Sequence, residues 1–327
     1  MAVFHTKDIS SDCFLVTGGA GFIGSHIVAY LLANGAGKVR VLDDLSTGSI
    51  ANVNLFAQYP QYEFIKGDIR DTEVCAAACE GVDYVSHQAA LGSVPRSIKD
   101  PVTSNNVNIG GFTNMITAAK NASVKSFVYA SSSSVYGDEP NLPKVERRTG
   151  NLLSPYAVTK MTNELYAGVF HKLYKLNVIG LRYFNVFGPR QDPNGPYAAV
   201  IPLFVSGIMA NEQVYINGDG AQTRDFTYVE NAVQANVRGM LNTKPEAFGE
   251  AYNVAVGANF SVLFLYNAIR DLLKLEHEPT FREPRAGDIH DSLADITKAA
   301  TLLGYQPTRK FQDGLALTVD YFKSMHK

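Results

Sequence analysis

The chain is poor in cysteine, with only Cys13, Cys75 and Cys79 in 327 residues, too few for a disulfide framework. Cys75 and Cys79 have helical spacing within VCAAACEG and no histidine or acidic cluster beside them. Buried helix packing is therefore expected there, and no metal site. No run is apolar for long enough to span a bilayer. The longest, Tyr197 to Ala210, is interrupted by Pro202 and Ser206. Residues 1–12 (MAVFHTKDISSD) lack the apolar region of a secretion signal. A cytoplasmic protein without a membrane partner is expected. Charge of one sign is also missing. Twenty-nine basic residues oppose 31 acidic ones, for a net −2 with no basic block, which argues against a nucleic-acid partner.

What the chain has is apolar content, 46%, enough for one large domain or two modest ones. Short β-rich runs alternate with longer helical ones. Cys13–Thr17, Val39–Asp43, Tyr62–Ile65, Val82–Ser86, Phe127–Ser131 and Val178–Leu181 read as buried strands. Ile109, Phe112, Ile116 and Ala119, and then Leu165, Val169 and Leu173, repeat at helical spacing. This alternation predicts an α/β fold, a Rossmann-like doubly wound parallel sheet covered on both faces. Beyond about residue 182 the pattern loosens into Gly-, Pro-, Asn- and Asp-rich loops. The expected organisation is a dinucleotide-binding domain over 1–182 and a smaller substrate-binding lobe over 183–327, with some segments returning to the first domain.

Gly18, Gly21 and Gly24, in GGAGFIG, follow the first strand directly and lead through Phe22 and Ile23 into a helix over Ser25–Leu32. Glycines there permit a tight turn and let a pyrophosphate approach the backbone, while the helix N-terminus offers its amides. Asp43, nineteen residues past Gly24, ends the second strand, where a carboxylate suits the adenosine ribose hydroxyls. The following loop, with Asp44, Ser46, Thr47 and Gly48, carries no Arg or Lys for a 2′-phosphate, so NAD is expected rather than NADP. Asp68, followed by Ile69, faces either the adenine amine or its own helix as an N-cap.

Tyr156 and Lys160, in SPYAVTK, lie four apart and share one helix face. Lowering a phenol by ~3 pKa units from ~10 needs roughly 4 kcal/mol. An ammonium ~5 Å away supplies about 3 kcal/mol at an effective dielectric near ~20. A cationic nicotinamide would add the rest. The pair suits acid/base work on an alcohol undergoing hydride transfer.

With GGAGFIG, His87-Gln88-Ala89-Ala90, SSSSVYGD (131–138), SPYAVTK (154–160), LRYFNVFGPRQ (181–191), GDGAQTRDFTYVEN (218–231) and REPRAGDIHDSLAD (282–295) in order, nearly the whole chain resembles the extended short-chain dehydrogenase/reductase family, specifically its nucleotide-sugar 4-epimerases. The resemblance implies Ser132 as a catalytic serine at the sugar O4, Tyr156 as base and Lys160 as its activator. It also implies Gln88, Ala89, Ala90 and Tyr183 at the cofactor. Sugar-nucleotide 4,6-dehydratases of the family carry Asp-Glu at the places of Ser133 and Ser134, and UDP-glucuronate decarboxylases carry Glu at the latter; hydroxyls here argue against elimination and decarboxylation and leave a simple oxidation–reduction at one carbon.

For the substrate the resemblance implies UDP. Asn185 and the clamps Arg224 and Arg285 serve the diphosphate, Val214, Tyr215 and Ile216 the uracil, and Asp288 the ribose. Ser93, Ser132, Ser133 and Val200 join the sugar side. Gly92 and Ser292 stand where related enzymes carry a lysine and a tyrosine, and with Ala199 these small residues imply room for a 2-acetamido group. UDP-GlcNAc/UDP-GalNAc is the expected pair, with UDP-Glc/UDP-Gal also accommodated. UDP-glucuronate or UDP-N-acetylglucosaminuronate is the nearest alternative, and a non-catalytic dinucleotide sensor the alternative of another class. The family also implies a homodimer through a four-helix bundle built from the helix around 105–122 and the one carrying Tyr156. Leu165, Val169 and Leu173 on that second helix suit either core or partner.

Overall fold

The computed structural model describes residues 2–194, 198–283 and 290–325. The first part of the chain runs through β1 (Cys13–Thr17), α1 (Phe22–Ala33), β2 (Lys38–Asp43), α2 (Ile50–Asn54), β3 (Tyr62–Lys66), α3 (Thr72–Cys79), β4 (Tyr84–His87), α4 (Val94–Lys99), α5 (Pro101–Asn105), α6 (Phe112–Asn121), β5 (Ser126–Ser132), α7 (Pro155–Tyr174) and β6 (Val178–Tyr183). The remainder contains β7 (Val186–Phe187), α8 (Val200–Met209), β8 (Tyr215–Asn217), β9 (Thr223–Arg224), β10 (Thr227–Tyr228), α9 (Val229–Met240), β11 (Glu250–Val254), β12 (Phe260–Ser261), α10 (Val262–Leu273), β13 (Thr280–Arg282), α11 (Thr297–Leu303) and α12 (Phe311–Met325).

Seven parallel strands form the central sheet in the order β3-β2-β1-β4-β5-β6-β11. Both faces are covered, and the strand period of two divides their side chains. Phe14 and Val16 of β1 join α1 and α9 through Val28, Leu31, Val233 and Val237. Leu15 between them faces α3, α6 and α7 through Cys79, Ile116 and Phe170. Each fully buried side chain of this kind contributes about 1.5–3 kcal/mol. The strand expected over Val82–Ser86 starts later, at Tyr84. Val82 is still in a turn, its N–H bonded to the Cys79 carbonyl. That strand extends to His87, buried against Phe112 and Phe127.

The chain does not leave the sheet for good after β6. It returns as α9, packed on α1 and β5, and as β11, paired with β6. Between and after these passages a lobe forms its own core around Phe204, Ile216, Phe226, Tyr266, Phe311 and Val319. The pattern over Ile109–Ala119 also resolves differently from one α-helix. Residues Asn106–Gly111 form a π-helical segment that continues into α6. Gly111 sits where a Cβ would meet Ile69 Cδ1 at 2.4 Å, so the helix approaches the loop after β3 closely at this point.

Leu165, Val169 and Leu173 are 65%, 49% and 68% exposed. They do not belong to the core. Cys75 and Cys79 are buried, and burial pushes both thiols up to about 12, which keeps them protonated and inert. Among the described residues no helix is long and apolar enough to cross a membrane.

Candidate active site

The strand order reverses between β1 and β4, and at this reversal the carboxyl ends of the strands open into a cleft of about 500 Å³. Its floor is the turn after β1. Gly18 has φ +67° and a Cβ there would meet the Ala89 nitrogen at 2.7 Å; at Gly24 a Cβ would meet the Gly18 oxygen at 2.2 Å. Only glycine lets α1 start this close to the strand. The α1 N-terminus, through Phe22, Ile23 and Gly24, therefore faces the cleft, the arrangement that binds a pyrophosphate.

Asp43 closes one end. Its carboxylate accepts from the Ala20 N–H at 3.0 Å and the Leu45 N–H at 2.8 Å, and burial holds its pKa up. Asp44, Ser46, Thr47, Asp68 and Ile69 continue the wall. Gly48 packs behind Asp43, its would-be Cβ 2.8 Å from Oδ1. Asp68 is not a helix cap: Asp71 caps α3, and Asp68 pairs with Arg70, which holds its carboxyl below the usual range. The cradle, the acidic end and the lack of a cation in 44–48 fit NAD.

The middle of the cleft is built from β4 and its neighbours. Gln88, Ala89 and Ala90 line it. Tyr183 donates to Gln88 Oε1 at 3.0 Å and accepts from Asn236 Nδ2 at 2.7 Å. Burial pushes this phenol well up, so it stays a neutral part of the wall.

Ser132, Tyr156 and Lys160 come together on one side. Ser132 ends β5 and accepts from the Ser134 N–H. Ser154 caps α7 through the Ala157 N–H, and the Ser97 hydroxyl accepts the Tyr156 N–H at 3.0 Å, which sets the first turn of that helix. Lys160, 3% exposed, donates to the Ala130 carbonyl at 2.8 Å and lies 5.9 Å from the Tyr156 ring centre. The electrostatics differ from the sequence-based expectation. Burial lowers Lys160 to about 8. Burial also raises Tyr156, with the Ser132 hydroxyl pulling the other way. Desolvation is the largest influence on both groups.

A second cavity of about 270 Å³ shares Asn185 and Val186 with the first and is lined further by Ala199, Val200, Tyr215 and Arg224. Arg224 donates to the Thr223 and His290 carbonyls. Gly92 and Ser93 line the first cavity, and a Cβ at Gly92 would meet nothing within 4 Å. Val214 is buried in the core of the lobe. Ser133 and Ser292 line neither cavity. Arg285 and Asp288 lie outside the described residues.

Two residues of the site escape a sequence reading. Asn108, buried in the π-helical segment, accepts the Leu91 N–H and donates to the Leu91 carbonyl and to Thr159, pinning the loop before Gly92 to α7. Its only signal is the following glycine pair. Gln191 lines the cleft with a buried Oε1 that has no partner among the described residues.

Fold and cleft define a dinucleotide-binding α/β enzyme with a serine, a tyrosine and a lysine together on one side of the cleft. Residues 14–255 match the NAD dependent epimerase/dehydratase family, and the chain belongs to that family, with NAD as its cofactor. The chain is 39% identical over 312 residues to a UDP-glucose 4-epimerase of Mycolicibacterium smegmatis, covering 95% of this chain and 98% of that one. Among solved structures, it is similar to a UDP-N-acetylglucosamine 4-epimerase from Methanobrevibacter ruminantium in complex with UDP-N-acetylmuramic acid (TM-score 0.90, 40% identity, 96% and 99% of the two chains). A UDP-glucuronic acid 4-epimerase from Bacillus cereus in complex with UDP-glucuronic acid and NAD is also similar (TM-score 0.89, 33% identity, 96% and 99%).

The depressed Lys160 has a consequence for the cofactor-free protein. Between pH about 8 and its ordinary 10.5 the unfolded chain keeps a proton that the folded one has released. Stability contributed by this group therefore rises with pH across that window. Denaturant titrations of wild type and Lys160→Met should show the wild type gaining on the variant from pH 8 to 10.5, by up to about 3 kcal/mol. A constant difference would mean that Lys160 is not desolvated.

Proposed function

We propose that this protein inverts carbon 4 of a UDP-linked hexose and that UDP-GlcNAc and UDP-GalNAc are its preferred pair. The observation that carries the reading is the convergence of Ser132, Tyr156 and Lys160 on one wall of a cleft whose other end suits a dinucleotide. The chemistry that NAD supplies when bound is reversible acceptance of hydride at carbon 4, with no net redox. Tyr156 takes the proton from O4 and later returns it to the same atom. Ser132 hydrogen-bonds O4 and stabilises the phenolate. Lys160 holds the positive charge that favours that phenolate and also binds the nicotinamide ribose. Asp43 receives the adenosine ribose hydroxyls. Arg224 clamps the diphosphate, suited by its guanidinium fork, with Asn185 beside it. The 4-keto sugar must turn over between the two half-reactions, and the open space at Gly92 supports room for both the rotation and a 2-acetamido group.

UDP-glucuronate is the second reading, and a cation is the strongest partner for its carboxylate. Among the described residues lining the first cavity, Lys160 is the sole one, and it is engaged with Ala130 and the reaction. A bare dinucleotide sensor has no use for the tyrosine and lysine together. The exposed stripe of Leu165, Val169 and Leu173, with Ile98 and Val102 on α4 and α5 also exposed, supports a second copy of this chain packing on α7, which gives a homodimer.

The test is kcat/KM of the purified protein for UDP-GlcNAc, UDP-Glc and UDP-GlcA, with the C4 epimers resolved by NMR. UDP-GlcNAc should be inverted fastest; preference for another sugar overturns the substrate assignment, and no inversion overturns the reaction. Tyr156→Phe should lower turnover by about 10²–10⁴-fold while NAD stays bound; near-normal turnover sinks the assigned base.

Ser292 is only 9% exposed, so a tyrosine there must project beyond its present space. Ser292→Tyr should suppress UDP-GlcNAc turnover and spare UDP-Glc. Equal loss for both would show that residue 292 does not gate the acetamido group.

Sedimentation should give a dimer, and Leu165→Asp with Val169→Asp should give a folded monomer. A wild-type monomer would leave the apolar stripe without the partner assigned to it.

A further inference from the structure

Glu164 lies one helical turn beyond Lys160, on the same face of α7. It is nearly buried and paired with a buried Arg182, at 11% and 5% side-chain exposure. Arg182 donates from Nε to Glu164 Oε1 at 2.9 Å and from Nη2 to Oε2 at 2.7 Å, a two-point fork. The Ser131 hydroxyl donates to the same Oε1 at 2.5 Å. Ser131 and Arg182 stand opposite one another in the β5–β6 register. One carboxylate thus joins α7, β5 and β6.

The place of this junction matters more than its strength. Lys160 holds the Ala130 carbonyl, Glu164 holds Ser131, and the next residue is Ser132. Beyond Ser132 a 3₁₀ turn runs over Ser133–Tyr136, and the Arg182 guanidinium lies 4.9 Å from the centre of the Tyr136 ring. Arg182 also donates to the Glu146 carbonyl at 3.0 Å. The short segment carrying Ser132 is therefore held on both sides by the same ion pair. A buried pair of this kind is weak as a source of stability, since well-packed apolar residues often do as well. What apolar residues cannot do is specify one geometry through hydrogen bonds.

We infer that Glu164 is a positioning residue, which acts through Ser131 to fix Ser132 against the Tyr156 hydroxyl. The inference rests on the epimerase reading above. Misplacing a reacting group by about 1 Å can cost about 10²-fold in rate, so a tether on the neighbouring residue is felt in kcat.

Ser131→Ala removes the tether and leaves the ion pair intact. In the NAD-loaded enzyme it should lower kcat about tenfold with KM within about twofold and NAD content unchanged. The rising limb of the pH–rate profile should also move to higher pH, because a looser Ser132 stabilises the phenolate less. Ser131→Thr, which restores the hydroxyl, should recover both. Glu164→Gln keeps an acceptor for Ser131 and should lie between Ser131→Ala and wild type if it folds; should it not fold, the serine variants carry the test. Unchanged kcat and pH limb in Ser131→Ala, or a fall in melting temperature alone, overturns the inference. If the wild type inverts no UDP-sugar, the epimerase reading fails separately. Positioning is then read from the 295 nm titration of each protein against its Tyr156→Phe counterpart. An upward move of the Tyr156 ionisation in Ser131→Ala supports the tether, and no move overturns it.

Discussion

Parallel strands can be joined only by crossovers, and a sheet built outward in two directions from its middle has one place where adjacent crossovers part. Here that place is between β1 and β4. The rest of the molecule depends on it. No helix can cover the carboxyl ends of the strands at the parting, so a cleft is obligatory. Everything chemically distinctive sits on its rim: the Gly18–Gly24 turn after β1, Asp43 at the end of β2, Gln88 after β4, Ser132 at the end of β5 and Tyr183 at the end of β6. The lobe closes the far side by growing from the chain after β6, which is why Asn185 and Val186 belong to both cavities.

Within the cleft, burial and charge oppose each other. A tyrosine and a lysine on one helix face suggest a phenol made acidic by its neighbour. The folded protein buries Lys160 and leaves Tyr156 partly covered in the wall of the cleft, and desolvation moves each toward its neutral form. In the proposed reaction a buried phenolate would need partners, and Lys160 on the same helix face and Ser132 beside Tyr156 are the ones this chain supplies.

Much of this was legible in the sequence because it depends on local order. The parallel sheet, the glycine turn, Asp43 at nineteen residues from Gly24 and the pairing of Tyr156 with Lys160 follow from short motifs attached to elements of known direction, while Ser132 is implied by the family resemblance. What escaped depends on contacts between distant residues. A regular apolar spacing from Ile109 to Ala119 reads as plain α-helix. In the π-helical segment Gly111 packs closely against Ile69, and Asn108 is buried and holds Leu91 and Thr159. The spacing of Leu165, Val169 and Leu173 identifies an apolar stripe but not what lies against it; only the packed fold shows that, among the described residues, the stripe stays largely exposed. The return of α9 and β11 to the sheet is likewise invisible to any window shorter than the whole chain.

Inversion at a carbon imposes two demands that pull apart. The nucleotide must be gripped, or the oxidised sugar is lost between half-reactions; the sugar must be free to present either face to the same hydride carrier. In the proposed function, the two cavities meeting at Asn185 and Val186 would reconcile these demands by separating them in space. Arg224 and Tyr215 lie in the cavity that would hold the nucleotide, while Gly92, whose side faces open space, lies in the other. On the sugar side the walls are small, but the reactive groups are not loose. Ser132 and Tyr156 are fixed from behind by Lys160, Glu164, Arg182 and Ser97, none of which has to release anything for the sugar to turn. Rigidity is thus invested in the wall that does chemistry and space is left where the substrate moves. A single active site can then act on both faces of one ring.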